Sequence, residues 1–120
     1  MIINLTQHPA TAEQLAAGVV DPAPEVRGRV VELLTFDAIP DRMEMVRRAL
    51  QLTRIAQDAG ATTAMIGGAP YFMGLLEKNL SIRGVKPVYA FSKRESVEEV
   101  QPDGSVRKVA IFRHVGFVPA

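Results

Sequence analysis

The sequence predicts an α/β domain of three layers, with a mainly parallel sheet that ends in a C-terminal antiparallel hairpin. Short, continuous apolar runs such as "MIINLT" alternate with amphipathic segments up to Ser92, as expected for parallel strands covered on both faces. From Ser92 onward the residues alternate around the turn sequence "QPDGS". Because the length suits one hydrophobic core, we predict a single domain over residues 1–120.

The first strand and helix are predicted from the opening residues. "MIINLT" is apolar apart from its asparagine and its final threonine, without strict alternation, and indicates a buried strand. Thr11 and Gln14 have the spacing of a capping box, so a helix should begin at Ala12. Gly18 is a suitable residue for its C-terminal stop.

The next stretch is ambiguous between helix and strand. Pro24 suits the first turn of a helix. Residues 28–36 are also compatible with a strand, because the period of a short apolar run does not separate the two. We favour a helix over residues 24–34 and a short extended piece over residues 34–36.

The central elements have clearer patterns. "DRMEMVRRALQLTRIAQDAG" carries one apolar stripe, with Asp41 as its cap and Gly60 at its end, which predicts an amphipathic helix. "ATTAMIGG" then predicts a strand, "YFMGLLEKNLSIRG" a helix and "KPVYAFS" another strand. The order strand, helix, strand, helix, strand is typical of a Rossmann-like sheet.

The tail predicts a β-hairpin over about residues 88–118. Pro102 and Asp103 suit the centre of a type I turn, and Gly104 suits the left-handed position that follows. With three loop residues, Gln101 faces Ser105, and facing residue numbers sum to 206 if no bulge intervenes.

Composition and charge exclude several classes of function. The chain has no cysteine and only two widely separated histidines, so we expect no metal site and no cofactor. The net charge of +1 argues against binding duplex DNA. A polar N-terminus and the lack of a bilayer-length apolar run predict a cytoplasmic protein without a membrane partner.

A ligand site is expected where the parallel strands end. The three predicted strands lead into "NLTQH", "GGAP" and "FSKRES", and ligands of open α/β sheets collect at this edge. Gly67 and Gly68 would expose backbone N–H groups at the start of a helix, an arrangement that favours an anion such as phosphate. Their other interpretation is a turn that needs glycine and binds nothing.

A polar cluster follows the first strand. Asn4, Thr6 and Gln7 are candidate ligand-binding residues. His8 is a candidate hydrogen-bond donor to a phosphate or a candidate proton carrier. The alternative is local, because the same side chains can satisfy backbone groups of the turn before Pro9.

The hairpin register brings further candidates together. Ser92 faces His114 and would hydrogen-bond to it, and Lys93 faces Arg113. Two like charges side by side suggest a bound anion, unless Glu95 relieves them or both side chains extend into solvent.

Two more side chains complete the predicted ligand-binding set. Arg94 lies in the same polar segment, and Tyr71 stands at a helix start beside Gly68.

The segments "INLTQHPATAEQL" and "MIGGAP" resemble small single-domain CRISPR-associated Rossmann-fold (CARF-like) proteins. The resemblance implies a homodimer that binds a cyclic oligoadenylate, and in some members cleaves it without metal through the ribose 2′-hydroxyl. Thr6, Gln7 and His8, the Gly67–Gly68 turn, and residues 92–94 would then line the groove.

Cleavage of this kind requires in-line positioning and stabilisation of phosphorane charge, which Lys93 with His8 or His114 would supply. The alternatives are a non-catalytic phage- or plasmid-type accessory protein that acts through dimer or partner contacts, and an ordinary small-molecule enzyme on the same fold.

Overall fold

The computed structural model describes all 120 residues and contains one five-stranded sheet with four helices. In chain order the elements are β1 (Ile2–Leu5), α1 (Ala12–Ala16), β2 (Val19–Val20), α2 (Pro24–Leu34), α3 (Arg42–Asp58), β3 (Thr63–Ile66), α4 (Pro70–Ile82), β4 (Lys86–Val100) and β5 (Val106–Pro119). The strand order is β2-β1-β3-β4-β5, and only the β4–β5 pair is antiparallel. The predicted α/β fold is therefore confirmed.

Local signals decide where the helices begin and end. Helix α1 has the predicted capping box, in which the Thr11 hydroxyl accepts from the Gln14 N–H. Helix α2 begins at Pro24 and ends at Leu34, which settles the ambiguous stretch in favour of the helix. Thr35 then takes an extended conformation, as predicted. The side chain of Asp41 caps α3 by accepting from the Glu44 N–H.

The C-terminal end of α2 is held by an arginine from α3. Arg48 Nη1 donates to the carbonyl of Thr35 at 2.6 Å and to that of Leu33 at 3.3 Å. Its guanidinium also lies 4.4 Å from the centre of the Phe36 ring. A hydrogen bond from Arg47, together with a weaker effect of the hydrogen bond from Arg48, holds the pKa of the Glu44 carboxyl below its usual value. The contacts of Arg48 fix the C-terminal end of α2, which adjoins the candidate site.

The two faces of the sheet are covered unequally. One face carries a core of 16 buried residues from β1, β3 and helices α2, α3 and α4, with Phe72 and Leu52 fully buried. The other face has a small cluster of Val19, Met65 and Val88. Helix α1 has no buried residue, so the third layer is thin on this side.

The hairpin continues far beyond the sheet. Strand β4 pairs with β3 only over Lys86–Val88, and thereafter β5 is its sole partner strand. We call residues 92–114 the arm. The molecule measures 56 × 32 × 27 Å, and an elongated shape is expected for a body with a projecting ribbon.

The predicted register of the arm is confirmed. Ser92 faces His114 and Val100 faces Val106, so facing numbers sum to 206 throughout. Gly104 has a φ of 86°, as its turn position requires. A β-bulge lies between Phe91 and Ser92, just below the arm, where the register shifts by one residue.

Two elements differ from the sequence prediction. Strand β2 was not expected, because two residues, Val19 and Val20, are too short for a periodic pattern. The strand predicted over residues 86–92 is the first part of one continuous 15-residue strand.

Candidate functional site

A groove opens at the carboxyl ends of β1 and β3, the edge where a ligand was expected. Its volume is about 490 Å³, and it is lined by residues 6–9, 11, 14, 65–68, 89 and 90. Seven of the 12 are the polar or glycine residues Thr6, Gln7, His8, Thr11, Gln14, Gly67 and Gly68. The structure thus brings together the predicted residues from the first two strand ends. We call this cavity the strand-end groove.

Asn4 organises the wall of the groove from behind. It is fully buried, and its Nδ2 donates to the His8 carbonyl and to Asp21 Oδ1, both at 2.8 Å. Its Oδ1 accepts from Thr6 N at 3.0 Å and Thr6 Oγ1 at 2.7 Å. Since all of its polar atoms are used internally, the predicted ligand contact of Asn4 is replaced by a structural role.

Gln7 ties the same turn to helix α2. Its Nε2 donates to the Leu34 carbonyl at 3.3 Å and to Thr35 Oγ1 at 3.1 Å. The Gln7 carbonyl accepts from Arg27 Nη2 at 3.2 Å. The local interpretation of Gln7 is therefore correct for its amide nitrogen, while its amide oxygen has no partner and remains open to a ligand.

The glycine turn supplies unpaired donors. The N–H groups of Gly67, Gly68 and Ala69 donate no hydrogen bond within the chain. They precede the 13-residue helix α4, which has no side-chain cap and no acidic residue in its first turn. The partial positive charge of this helix end is therefore not neutralised by the protein.

Gly68 is required by its backbone conformation and surroundings. Its φ is 156°, a backbone conformation that residues with a side chain rarely adopt. A Cβ there would also lie 3.2 Å from Met73 Cε. Gly67 has no such restriction, because its nearest neighbour would be Thr6 Cγ2 at an ordinary 3.6 Å.

His8 and Tyr89 stand on the groove with different environments. The His8 ring makes no hydrogen bond, and the residue is exposed. Tyr89 is partly buried, and its hydroxyl donates to Glu77 Oε1 at 2.8 Å. Burial and this hydrogen bond raise the pKa of Tyr89 to about 12.

We expect the pKa of Tyr89 to be measurable by ultraviolet titration of a Tyr71→Phe variant, which leaves Tyr89 as the only tyrosine. The phenolate absorbance should appear with a midpoint near 12. Since the folded pKa is raised, the contribution to stability is complete below the unfolded pKa of about 10 and is lost as pH rises through the folded value.

A second substitution separates the two causes. Adding Glu77→Gln should lower the midpoint, because the carboxylate no longer favours the protonated phenol, but burial should keep it above the ordinary value. An unchanged midpoint would contradict the role of Glu77.

Tyr71 does not line the strand-end groove. It packs edge-to-face on Phe36, with ring centres 5.5 Å apart. Both rings line a separate pocket of about 550 Å³ with residues 37–40 and Met45. This pocket is mostly apolar, so it offers little to a charged ligand, and the expected position of Tyr71 beside the ligand is corrected.

The arm residues are not part of the groove. Ser92, Lys93, Arg94, Arg113 and His114 are all absent from its lining. Ser92 lies two residues, or about 7 Å of strand, beyond Ala90, the last β4 residue of the lining. The candidate catalytic residues His8, Lys93 and His114 are therefore not assembled along one groove within a single chain.

The charges and polar groups of the arm have their own arrangement. Arg113 Nε donates to Glu95 Oε2 at 2.9 Å, so the predicted relief of the Lys93–Arg113 pair by Glu95 is confirmed. The predicted Ser92–His114 hydrogen bond does not form, because both ring nitrogens of His114 are buried without a partner. The ring packs on Phe117, with centres 4.9 Å apart.

Sequence reasoning missed the residues that support the groove. Asp21 accepts from Asn4 and from the Ala10 N–H, and it lies 3.8 Å from Arg27 Nη1. No motif marks these residues, because the contacts join the β1 turn to distant positions. Gln14, which was recognised as part of the capping box, also lines the groove.

An open groove at the ends of parallel strands, beside an uncapped helix N-terminus, defines the chain as a single-sheet α/β protein with a candidate anion-binding site. None of its helices has the length and apolar character needed to cross a membrane. The chain belongs to the family described as Uncharacterized protein MJ1673 family, whose model matches residues 1–118. No match was found among curated proteins or among solved structures.

Proposed function

We propose that the strand-end groove binds a nucleotide or another small molecule that carries a phosphate. The observation that supports this most is the pair of free N–H donors at Gly67 and Gly68, which line the groove just before α4, with the free N–H of Ala69 next to them. Successive backbone donors at a helix N-terminus suit phosphate oxygens, because each supplies a hydrogen bond and the helix dipole favours negative charge.

The remaining lining suits the rest of a nucleotide. Thr6, Gln7 and His8 provide hydroxyl, amide and imidazole groups on the β1 side of the groove. The Gln7 amide oxygen can accept from an exocyclic amine, and the exposed His8 ring can donate to phosphate. The volume of about 490 Å³ is within the usual range for small-ligand sites.

The finer proposal is that the ligand is a cyclic oligoadenylate that the protein cleaves. It rests on the resemblance of "INLTQHPATAEQL" and "MIGGAP" to CARF-like proteins. Within one chain only His8 of the three candidate catalytic residues lines the groove. Cleavage therefore requires that His8 act with the backbone donors, or that Lys93 and His114 come from a second chain.

A thermal-shift series tests the proposal. We expect adenine nucleotides or cyclic oligoadenylates to raise the melting temperature, since a ligand that binds only the folded state stabilises it. Inorganic phosphate serves as the minimal anion and adenosine as the uncharged control. Stabilisation by adenosine equal to that by its phosphates, or no response to any compound, would contradict phosphate recognition.

Turnover is measured separately. Cyclic tetra-adenylate incubated with the protein and EDTA should yield linear products with a 2′,3′-cyclic phosphate if the ribose hydroxyl attacks. Binding without products would make the protein a sensor. The alternative is an accessory protein that acts through protein contacts. The observation in its support is the unpaired edge of β4 in the arm.

A further inference from the structure

The arm presents two strand edges that nothing in the chain covers. Over residues 92–100 β4 pairs with β5 alone, and β5 is the last strand of the sheet. A two-stranded ribbon is marginally stable in water, and an open edge is a template for another strand. A partner that adds strands to the arm would stabilise the ribbon and pair its open edge.

The hydrogen-bonding direction of each β4 residue follows from the turn. Gln101 N donates to Ser105 O, so Gln101 points its backbone groups toward β5. In an antiparallel pair this orientation alternates, so Glu99, Val97 and Glu95 also face β5. The backbone groups of Arg94, Ser96 and Glu98 are therefore directed to the open edge.

The side-chain charges along this edge are ordered. Lys93 and Arg94 precede Ser96, and Glu98 and Glu99 follow it. The side chains of these four residues make no ion pair and no hydrogen bond within the chain, and all four are exposed. Arg113, the neighbour of Lys93, is already paired with Glu95.

We propose that β4 pairs antiparallel with β4 of a second copy across a two-fold axis at Ser96. Facing residue numbers then sum to 192, which sets Lys93 opposite Glu99 and Arg94 opposite Glu98, in both directions. The residues whose backbone faces the open edge, 94, 96 and 98, then meet one another. The arms form a four-stranded antiparallel sheet with order β5-β4-β4-β5.

The β5 edge of the arm is not complementary to a second copy of the same edge. The β5 side of the arm has Arg107, Lys108 and Arg113 and no acidic residue. A two-fold pairing of β5 with itself would bring like charges together, which is unfavourable. Pairing of β4 with β5 of another copy is head-to-tail, so it leaves open edges at both ends unless a ring closes. The β4–β4 pair combines matched charges with two-fold closure, and we therefore favour it.

Cysteine cross-linking tests the register directly. The chain has no cysteine, so a Ser96→Cys variant has one thiol per chain. In the proposed pair the two copies of residue 96 face each other at a Cα separation of about 5.5 Å, within disulfide range. We expect rapid disulfide-linked dimers under mild oxidation.

Ser92→Cys is the matched control, because it is the same substitution on the same strand and face. In the proposed pair the two copies of residue 92 are eight residues apart along the strand direction, or about 27 Å. Its cross-linking should be at least about tenfold slower, because such a span is beyond disulfide reach. Equal rates for the two variants would overturn the register.

Sedimentation of charge variants tests the interface independently. The wild type should sediment as a dimer, and Lys93→Glu/Arg94→Glu should raise the dimer dissociation constant at least about tenfold, because acidic residues then face Glu98 and Glu99. The hairpin should survive, since Glu at position 93 would face Arg113.

Lys78→Glu/Arg83→Glu on exposed positions of and after α4 makes the same change of net charge and should leave the dimer intact. A monomeric wild type at about 100 μM, where even weak specific dimers assemble, or a dimer that the arm variant leaves unchanged, would overturn the proposal. Neither result affects the phosphate site, which thermal shifts in the monomer would still report.

Discussion

Replacing Asn4 with leucine is expected to lower the free energy of unfolding by about 3 kcal/mol, because several buried polar partners lose their hydrogen bonds at once. Asn4 is fully buried and joins Thr6, His8 and Asp21. Leucine has a similar volume, so the loss reports the polar contacts rather than a cavity. Urea unfolding followed by circular dichroism measures the change.

Thr53→Val is the control for burial of a single polar group. Thr53 is the other buried polar residue of the core, and its hydroxyl makes one hydrogen bond, to the Ala49 carbonyl of the same helix. We expect a loss of about 1 kcal/mol, the usual net value of one hydrogen bond. A loss for Asn4→Leu no larger than this would show that the β1 turn does not depend on the asparagine.

Gly67→Asp should remove the proposed phosphate site while preserving the fold. A side chain at position 67 meets only Thr6 Cγ2, at 3.6 Å, and the backbone there does not require glycine. Its carboxylate would stand beside the free N–H donors, occupy them and repel a phosphate. We expect the dissociation constant of the best-binding adenine nucleotide to rise about a hundredfold, as measured by isothermal titration calorimetry.

Gly74→Asp is the matched control for this variant. It makes the same change on the exposed side of α4, where an added Cβ meets no atom within 4 Å. Nucleotide affinity should remain close to that of the wild type. If Gly67→Asp binds as tightly as Gly74→Asp, the nucleotide does not occupy the strand-end groove.

The elements with strong local signals could be predicted from the sequence. The Thr11–Gln14 capping box, Pro24 at the start of α2 and the "QPDGS" turn each act over a few residues, so their effect does not depend on the rest of the fold. The register of the arm followed from the turn for the same reason. Strand β2 escaped prediction because parallel pairing with β1 creates it.

The site was predictable in position but not in detail. Strand ends meet at one edge, so Thr6 and Gly68 could be expected together. The internal use of Asn4 depends on Asp21, 17 residues away, and no local pattern reveals that contact. The displacement of Tyr71 depends on its packing with Phe36, 35 residues earlier. Lys93 lies outside the groove because β4 continues past the end of its pairing with β3.

The bulge between Phe91 and Ser92 controls the direction of the arm independently of the groove. A bulge bends a strand pair and increases its twist, so this one sets the angle at which the ribbon leaves the body. Loss of the extra β5 residue would swing the whole ribbon to a new direction without altering any residue of the groove. A single deletion would therefore redirect the arm while the strand-end groove keeps its lining.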